Sequence, residues 1–228
     1  ELSSLRSFYR YLRTHGEMTQ DIFGRISALK TARKLPSFVP ETRMESLLEN
    51  IRSKSRTDDF VEQRNALIIA LFYSCGIRLA ELQGMRFGNI SADRATLHIR
   101  GKGDKHRIIP ILPELSERIE RYMGLLRGLN ISTSAEAPLI VSPQGEPLSR
   151  STIQRVVKAK LSEANVQGKK SPHILRHTFA TRALEAGMDI KVLSSILGHA
   201  QASTTLNLYA HALPDHKRDS MEKMRSCG

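Results

Sequence analysis

Apolar residues recur along most of this chain with the spacing of an amphipathic helix. Near the N-terminus Leu5, Phe8 and Leu12 lie on one side of such a helix, and arginines lie on the other side. This pattern predicts a first helix over residues 2–15. A run at 64–74 is apolar on nearly all sides, so we expect a central, buried helix there. Similar patterns predict further helices over residues 41–52, 79–85, 115–129, 151–164, 174–185, 190–197 and 203–211.

One stretch in the middle of the chain has a different period. Residues 95–100 alternate between apolar and polar side chains, and residues 107–111 are rich in β-branched side chains. Gly101 and Gly103 lie between them and permit a tight turn. The sequence therefore predicts a β-hairpin in an otherwise helical fold, with a further short strand at 139–141.

The composition changes after the first helical region. Residues 31–40 contain two prolines and two cations, which is typical of a linker. We therefore expect a domain boundary in this segment, with a small N-terminal part before it and one large domain after it.

The composition of the whole chain is that of a basic globular protein. Its 228 residues are 40% hydrophobic and 25% charged, which argues against wholesale disorder. Lysines and arginines number 35 against 23 acidic residues, which gives a net charge of +12. A surplus of this size suits a partner with dense negative charge, and nucleic acid is the most common such partner.

The cysteines and the apolar runs exclude several other classes of protein. Cys75 and Cys227 form neither a disulfide framework nor a thiolate metal site. The apolar run at 66–73 is too short to cross a bilayer, and the N-terminus lacks the features of a signal peptide. We expect a cytoplasmic protein without a membrane partner.

Arg78 follows the most apolar run of the chain, where an unpaired charge would be costly to bury. Glu81 lies three residues later, on the same face of a helix. Two interpretations stay open at this point. The pair stabilises a turn of helix, or the carboxylate orients a guanidinium that binds an anion.

A second group of polar residues opens the helix predicted at 174–185. His173 and Arg176 are three residues apart and therefore share one face, and Pro172 suits the first helical turn. A metal site on His173 and His177 is the rival interpretation. It lacks a third ligand nearby, and Arg176 between the two imidazoles would repel a cation.

Three further residues are weak signals when each is taken alone. His199 follows a glycine that is typical of a helix end, so it could be a simple capping residue. Tyr209 lies on an amphipathic helix, where tyrosine is more often a core residue than a nucleophile. Lys102 lies at the tip of the predicted hairpin, either as a solvated lysine or as a cation delivered into a groove of DNA.

The order and spacing of these residues carry more information than any one of them. Residues 76–82 resemble the first arginine box of the tyrosine recombinase (phage integrase) family, and residues 101–110 resemble its lysine hairpin. Residues 173–181 resemble its His-x-x-Arg box, and residues 197–211 its terminal histidine and tyrosine segment. The resemblance covers residues 39–224.

The resemblance implies a fold and a division into domains. The fold would be mainly α with a small antiparallel β-hairpin, the tyrosine recombinase catalytic-domain fold. Residues 39–228 would form the catalytic domain. Residues 1–38 would be the C-terminal fragment of the family's helical core-binding domain plus the linker, and we expect most of that domain to lie outside this chain.

The resemblance also implies a metal-free mechanism without a cofactor. Tyr209 would attack a DNA phosphate, form a 3′-phosphotyrosyl link and free a 5′-hydroxyl. We expect nearby cations to favour the tyrosine phenolate. Arg78 and Arg176 would bind the phosphate oxygens through their guanidinium groups, and His199 would donate a further hydrogen bond. His173 would act as the base for the tyrosine proton, and Lys102 as the acid that protonates the departing oxygen.

Double-stranded DNA is the partner that the charge and the resemblance both indicate. We expect a monomer in free solution and a homo-tetramer or mixed tetramer on DNA. The resemblance leaves two biological roles open: chromosome dimer resolution by an Xer-like protein, or the integration and excision of a mobile element. Residues 209–224 resemble mobile-element integrases somewhat more than Xer proteins. The candidate phosphate-contacting cations outside the catalytic group are Arg6, Arg10, Arg13, Lys105, Arg107, Lys169 and Lys170.

Two alternatives come from other functional classes. A type IB topoisomerase-like enzyme would use similar chemistry but relax supercoils as a monomer. A non-catalytic DNA-binding protein derived from a recombinase would bind DNA without forming a covalent link.

Overall fold

The chain divides into two compact units, Glu1–Leu35 and Pro36–Gly228. The computed structural model describes residues 2–18, 39–54, 58–101, 106–199 and 201–209.

The first unit contains the helix that the sequence predicts near the N-terminus, and its bounds are Leu2–Thr14 (α1). Its apolar side chains remain accessible to solvent, with Phe8 56% and Tyr11 58% exposed. On the same helix Arg6 is half-buried and Arg10 and Arg13 are exposed.

The second unit is mainly helical with one small antiparallel sheet, which confirms the predicted fold class. Its described elements, in chain order, are α2 (Glu41–Lys54), α3 (Phe60–Cys75), α4 (Leu79–Gln83), a 3₁₀ turn (Phe87–Asn89), β1 (Thr96–Arg100), β2 (His106–Pro110), α5 (Pro113–Gly128), α6 (Arg150–Glu163), α7 (Pro172–Glu185), α8 (Ile190–Leu197) and α9 (Ala202–Tyr209).

Helix α3 is the central helix of this unit, as its apolar sequence predicts. Asp59 begins it by accepting hydrogen bonds from the backbone N–H groups of Val61 and Glu62, which the first helical turn leaves unpaired. Gly76 ends it in the left-handed conformation, with φ 56°. Helices α5, α6 and α7 pack around α3, so that the segment after Gly76 emerges from the middle of the core.

The predicted β-hairpin is present as β1 and β2, which pair antiparallel. Leu97 lies opposite Ile109, and Ile99 lies opposite Arg107. Leu97, Ile99 and Ile109 are buried, whereas Ile108 on the other face is 60% exposed. The residues predicted to form the turn, including Lys102 and Lys105, lie outside the described residues.

The prediction of a strand at 139–141 is wrong. Pro138 and Val141 instead form isolated bridges, to Arg86 and Pro147 respectively. Leu139 and its two successors are nevertheless buried, within a segment that bends at residues 139 and 140. The apolar run therefore reflected burial rather than a regular strand.

Candidate active site

Arg78 is held at the start of α4 by Glu81. The backbone N–H of Arg78 donates to Glu81 Oε2 at 2.7 Å, and Arg78 Nη1 donates to Glu81 Oε1 at 3.0 Å. A glutamate at the third helical position commonly reaches back in this way to the first residue of the helix. The predicted Arg–Glu pair is thus present. The arginine side chain keeps 42% of its surface exposed, so it remains accessible to an anion.

Arg176 on α7 is a buried cation held by neutral groups. It is 5% exposed, and it donates through Nη1 to the carbonyl of Gly76 and through Nη2 to the carbonyl of Leu197, the latter at 2.7 Å. Burial lowers the pKa of Arg176 to about 10, and the positive charge of Arg78 adds to the effect. The group is still charged at neutral pH. A phosphate oxygen would supply the counter-charge that these carbonyls do not.

Arg107 does not lie where the sequence analysis expected it. Its Nη1 and Nη2 donate to the two carboxylate oxygens of Glu81 at 2.9 Å and 2.7 Å. The side chains of this ion pair are only 8% and 9% exposed. The predicted role of Arg107 as a surface contact to DNA is therefore not supported. Burial would raise the pKa of Glu81, but hydrogen bonds from Arg107 and Arg78 outweigh it and lower that pKa to about 2.

Three arginines together hold the C-terminal turn of α8. Arg107 Nε donates to the carbonyl of residue 196 at 2.7 Å, Arg176 Nη2 to that of residue 197 at 2.7 Å, and Arg78 Nη2 to that of residue 198 at 3.0 Å. The last carbonyls of a helix have no partner within the helix, and its C-terminus favours cations. The end of α8 thus fixes the relative positions of three guanidinium groups that come from distant segments of the chain.

His199 follows this turn and contacts Arg176. Its Nε2 lies 3.3 Å from Arg176 Nη2, and its Nδ1 lies 2.8 Å from Thr205 Oγ1. Arginine can only donate, so Nε2 accepts and the ring proton is on Nδ1. Burial lowers the pKa of His199 to about 4, helped by the charges of Arg176, Arg78 and Arg107. The ring is therefore neutral at pH 7, and in this arrangement it does not direct an N–H into the cleft as the sequence analysis expected.

His173 lies at the edge of the same cleft, one helical turn before Arg176. Partial desolvation lowers its pKa, and the charges of Arg176 and Lys169 add to that effect. A neutral imidazole in this position is able to accept a proton. The cleft has a volume of about 420 Å³ and is lined by Ile77, Arg78, Leu79, Gln154, Lys169, Ser171, Pro172, His173, Arg176 and His199.

Tyr209 lies beside this cleft rather than in its lining. It is 2% exposed and belongs to a small apolar cluster with residues of α7 and α8. Its ring packs on the imidazole of His177. Burial raises the pKa of Tyr209, and the opposing effect of Arg176 is smaller. The expected activation of the phenol by nearby cations is thus not seen in this arrangement.

The structure brings together most of the six residues predicted for catalysis. Arg78, His173, Arg176 and His199 line one cleft, and Tyr209 is close enough to Arg176 for each group to shift the pKa of the other. Lys102 lies outside the described residues.

The remaining candidate DNA contacts occupy different environments. Lys169 is exposed and lines the cleft. Lys170 is half-buried, and its Nζ donates to Ser162 Oγ at 3.0 Å. Lys105 lies outside the described residues, and the arginines of α1 belong to the other unit.

The part that Arg107 plays was not predicted, although the sequence contains a signal for it. Residues two apart on a strand share a face, so Arg107 lies on the same face as the buried Ile109. An arginine on the inward face of a strand requires a buried acceptor, and Glu81 is that acceptor. Thr205, the partner of His199, was also missed, and a threonine on an amphipathic helix offers no comparable signal.

Two further observations concern metals and membranes. Within the described residues no group of three histidine, cysteine, aspartate or glutamate side chains could hold a metal ion. His177, half of the rival metal site, is buried against Tyr209. None of the described helices is long and apolar enough to cross a membrane.

Comparison with known proteins gives a consistent result at the level of sequence. Residues 37–216 match the Phage integrase family. The chain is 33% identical over 215 residues to tyrosine recombinase XerD of Lacticaseibacillus casei, and this match covers 94% of the chain and 72% of that protein. It is 34% identical over 226 residues to tyrosine recombinase XerC of Thermodesulfovibrio yellowstonii, covering 98% of the chain and 73% of that protein.

Solved structures have the same fold. XerA recombinase superposes with a TM-score of 0.66 at 29% identity, over 87% of this chain and 66% of that one. XerH recombinase bound to palindromic difH superposes with a TM-score of 0.71 at 23% identity, over 85% of this chain and 55% of that one. The Tn1549 transposon integrase in complex with transposon right-end DNA superposes with a TM-score of 0.67 at 24% identity, over 96% of this chain and 76% of that one. The predicted catalytic-domain fold is thereby confirmed.

Proposed function

The chain belongs to the phage integrase family of tyrosine recombinases, and from this premise we propose that it is a site-specific DNA recombinase. It would cleave and rejoin DNA strands through a 3′-phosphotyrosyl intermediate. The observation that carries the proposal is the single cleft lined by Arg78, His173, Arg176 and His199, with Tyr209 packed beside it.

The two cleft arginines suit a phosphate that gains negative charge during the reaction. Arg176 is held by backbone carbonyls and an imidazole, so its charge is not neutralised by any of the hydrogen bonds described for it. Arg78 shares Glu81 with Arg107. Both guanidiniums are therefore preorganised and still attract an anion, which is the arrangement that stabilises a phosphoryl transition state. Bound phosphate would also raise the pKa of His199 and allow that ring to donate.

The covalent step would exchange one phosphate ester for another. The Tyr209 oxygen would form a bond to phosphorus while the bond from phosphorus to the 5′-oxygen breaks, and the phenol proton would pass to His173. Lys102 would protonate the departing oxygen. Attack by a 5′-hydroxyl of another strand reverses these steps and reseals DNA, so the chemistry conserves the ester bond and requires no energy source.

Residues 39–228 would form the catalytic domain, and residues 1–38 the end of the core-binding domain with its linker. The match to the family begins at residue 37, which supports this division. Double-stranded DNA would be the substrate. A homo-tetramer or a mixed tetramer would assemble on it from protomers that are monomeric in free solution.

The DNA backbone would be contacted by the cations predicted from the sequence, with Arg107 removed from the set. Lys169 has the strongest support because it lines the cleft. Arg6, Arg10, Arg13, Lys105 and Lys170 remain proposals.

An Xer-type role is supported by relatives named XerC and XerD at 34% and 33% identity. The Tn1549 transposon integrase is only 24% identical, so its similarity supports the fold and not a biological role. We therefore propose chromosome dimer resolution rather than the mobile-element role that residues 209–224 suggested. Location in the cytoplasm stays a prediction.

The test is covalent capture of DNA. The probe is a labelled pool of nicked duplexes of randomised sequence, from which the 5′-hydroxyl fragment escapes after cleavage. The wild-type chain should form an adduct that survives denaturant, and mass spectrometry should place it on Tyr209. Tyr209→Phe should form none while still binding DNA. Tyr122→Phe is the control, because it alters another buried tyrosine outside the cleft.

Three results would contradict the proposal. An adduct formed by Tyr209→Phe would remove Tyr209 as the nucleophile. Binding without any adduct from the wild-type chain would indicate a non-catalytic DNA-binding protein. Relaxation of supercoiled plasmid without strand exchange between two selected sites would indicate a topoisomerase-like enzyme.

A further inference from the structure

Arg107 is the side chain that connects strand β2 to Glu81 and to the end of α8, which hold the cleft arginine Arg78. It lies opposite Ile99 in the hairpin and faces the interior, unlike the exposed Ile108 beside it. Its Nη1 and Nη2 donate to the carboxylate of Glu81, and its Nε donates to the carbonyl of Ile196. One residue of the hairpin thus contacts both α4 and the end of α8.

The ion pair between Arg107 and Glu81 has the geometry of a specific contact. Both guanidinium nitrogens donate to separate carboxylate oxygens, at 2.9 Å and 2.7 Å, with little exposure to solvent. Such a planar two-pronged contact is beyond the reach of lysine. Glu81 also accepts from the backbone and the guanidinium of Arg78. A single carboxylate therefore fixes one arginine from the hairpin and one from the cleft.

Gly198 shows how closely Arg107 lies against the turn before His199. A Cβ atom at residue 198 would be 3.0 Å from Arg107 Nη1 and 3.2 Å from its Cδ and Cζ. Gly198 also adopts a left-handed conformation, with φ 62°. The turn is consequently packed against Arg107 on one side while its carbonyls accept from Arg78 and Arg176.

We propose that Arg107 is a positioning residue for strand cleavage. It holds strand β2, Glu81 and the turn at residues 196–198 in one register, so that Arg78 and His199 face the same phosphate. Arg107 itself does not contact DNA. The inference rests on the recombinase function proposed above and adds a residue that acts through others.

A direct contact between Arg107 and a DNA phosphate is the competing explanation, and the two make different predictions. A lost phosphate contact weakens binding and reduces the slope of log affinity against log salt by about 1. A lost positioning contact leaves affinity and slope unchanged and slows the chemical step. A displacement of about 1 Å in catalytic groups typically costs about 100-fold in rate.

The experiment compares Arg107→Lys and Arg107→Gln with the wild-type chain on a duplex selected by covalent capture. Single-turnover cleavage and DNA affinity are measured over a range of salt concentrations. We expect cleavage to fall by about 100-fold in both variants, with affinity and its salt dependence unchanged. Arg127→Lys is the matched control, because Arg127 forms an exposed ion pair with Glu120. Unchanged cleavage in Arg107→Lys, or a reduced salt slope, would overturn the proposal.

A double-mutant cycle distinguishes positioning from general stabilisation of the fold. If Arg107 and Glu81 act as one unit, Glu81→Gln with Arg107→Gln should cleave no more slowly than the worse single variant. Rates are compared at a temperature where thermal unfolding shows every variant to be folded. Additive losses, or loss of stability with normal cleavage, would contradict the positioning role.

A readout without DNA separates this proposal from the proposed function. The ring resonances of His199 in an NMR spectrum should shift in Arg107→Lys and stay unchanged in Arg127→Lys. Failure of the wild-type chain to capture DNA would defeat the recombinase function while leaving this measurement valid. Unchanged His199 resonances in Arg107→Lys would defeat the positioning role even if the wild-type chain cleaves DNA.

Discussion

The ring of Tyr209 packs on the imidazole of His177, with their centroids 4.7 Å apart and their planes inclined by 31°. His177 lies one residue after Arg176, so the helix that carries the cleft arginine also carries the imidazole against which Tyr209 packs. The tyrosine is consequently close to the cleft but buried outside its lining. If Tyr209 is the nucleophile, as proposed above, its ring would have to leave this apolar cluster to reach a phosphate in the cleft.

The ionisation of Tyr209 provides a test of this resting arrangement. Burial raises its pKa, and Arg176 opposes that effect only in part. In the free protein the phenolate of Tyr209 should therefore appear at a higher pH than that of an ordinary tyrosine. The difference between ultraviolet titrations of the wild-type chain and Tyr209→Phe isolates this group. A phenolate signal at or below the ordinary tyrosine pKa would show that the ring is not buried.

Replacement of Arg176 by lysine should abolish most of the cleavage activity. Lysine has a single nitrogen in place of the planar fork with which Arg176 reaches the carbonyls of Gly76 and Leu197, so it cannot present the same donors to a phosphate. We expect single-turnover cleavage to fall by at least about 100-fold. Arg182→Lys is the matched control on the same helix, because Arg182 pairs with Glu41 instead. Near-normal cleavage by Arg176→Lys would remove Arg176 from the transition state.

Gly76 should tolerate alanine poorly for two separable reasons. Its φ of 56° is unfavourable for any other residue, and an added Cβ would lie 2.5 Å from Phe179 Cδ1. Gly76→Ala should lower the free energy of unfolding by about 3 kcal/mol, through conformational strain and overpacking together. Gly187→Ala should cost only about 1 kcal/mol. Gly187 also has a positive φ of 87°, but a Cβ there meets nothing within 4 Å.

Chemical denaturation of both variants measures these free energies. Equal losses in the two variants would show that Phe179 moves aside and that strain alone decides the cost. Because the carbonyl of Gly76 also accepts from Arg176, cleavage should be impaired in Gly76→Ala and normal in Gly187→Ala.

Glu81 should make the folded state sensitive to acid. Its pKa is lowered from 4.5 to about 2, so the folded state binds its proton less readily than the unfolded chain does. The resulting stabilisation is fully present above pH 4.5 and is lost as the pH falls toward 2. The difference in unfolding free energy between the wild-type chain and Glu81→Gln should shrink across this window. A constant difference would contradict the lowered pKa.

Lys169 should contribute to DNA binding through charge alone. It is exposed and lines the cleft, where it would meet the phosphate backbone. Lys169→Ala should weaken DNA binding about equally for all sequences and reduce the salt slope by about 1. Arg127→Ala removes an exposed cation that is already paired with Glu120 and is the control. If the salt dependence of DNA affinity is unchanged in Lys169→Ala, Lys169 is solvated and does not contact a phosphate.

Local patterns in the sequence predicted most of the elements that position the site. The helical stripes gave α1 to α9 within a few residues, and the change to a period of two located the hairpin. The period of two also places Arg107 on the inward face of the hairpin, with the buried Ile109. The prediction of a strand at 139–141 was wrong because burial alone does not distinguish a strand from a buried irregular connection.

By itself the sequence determined the family, because the order and spacing of its polar residues are those of one family, and from that it predicted which residues carry the chemistry. It also determined which face of each element is apolar, because that depends on neighbours along the chain. Only the tertiary structure decided which polar groups meet. Arg78 donates to the carbonyl of Gly198, which is 120 residues away along the chain, and Arg107 donates to Glu81, which is 26 residues away. Such contacts depend on how whole helices pack, and the same packing determines whether the tyrosine is buried and the His199 ring neutral.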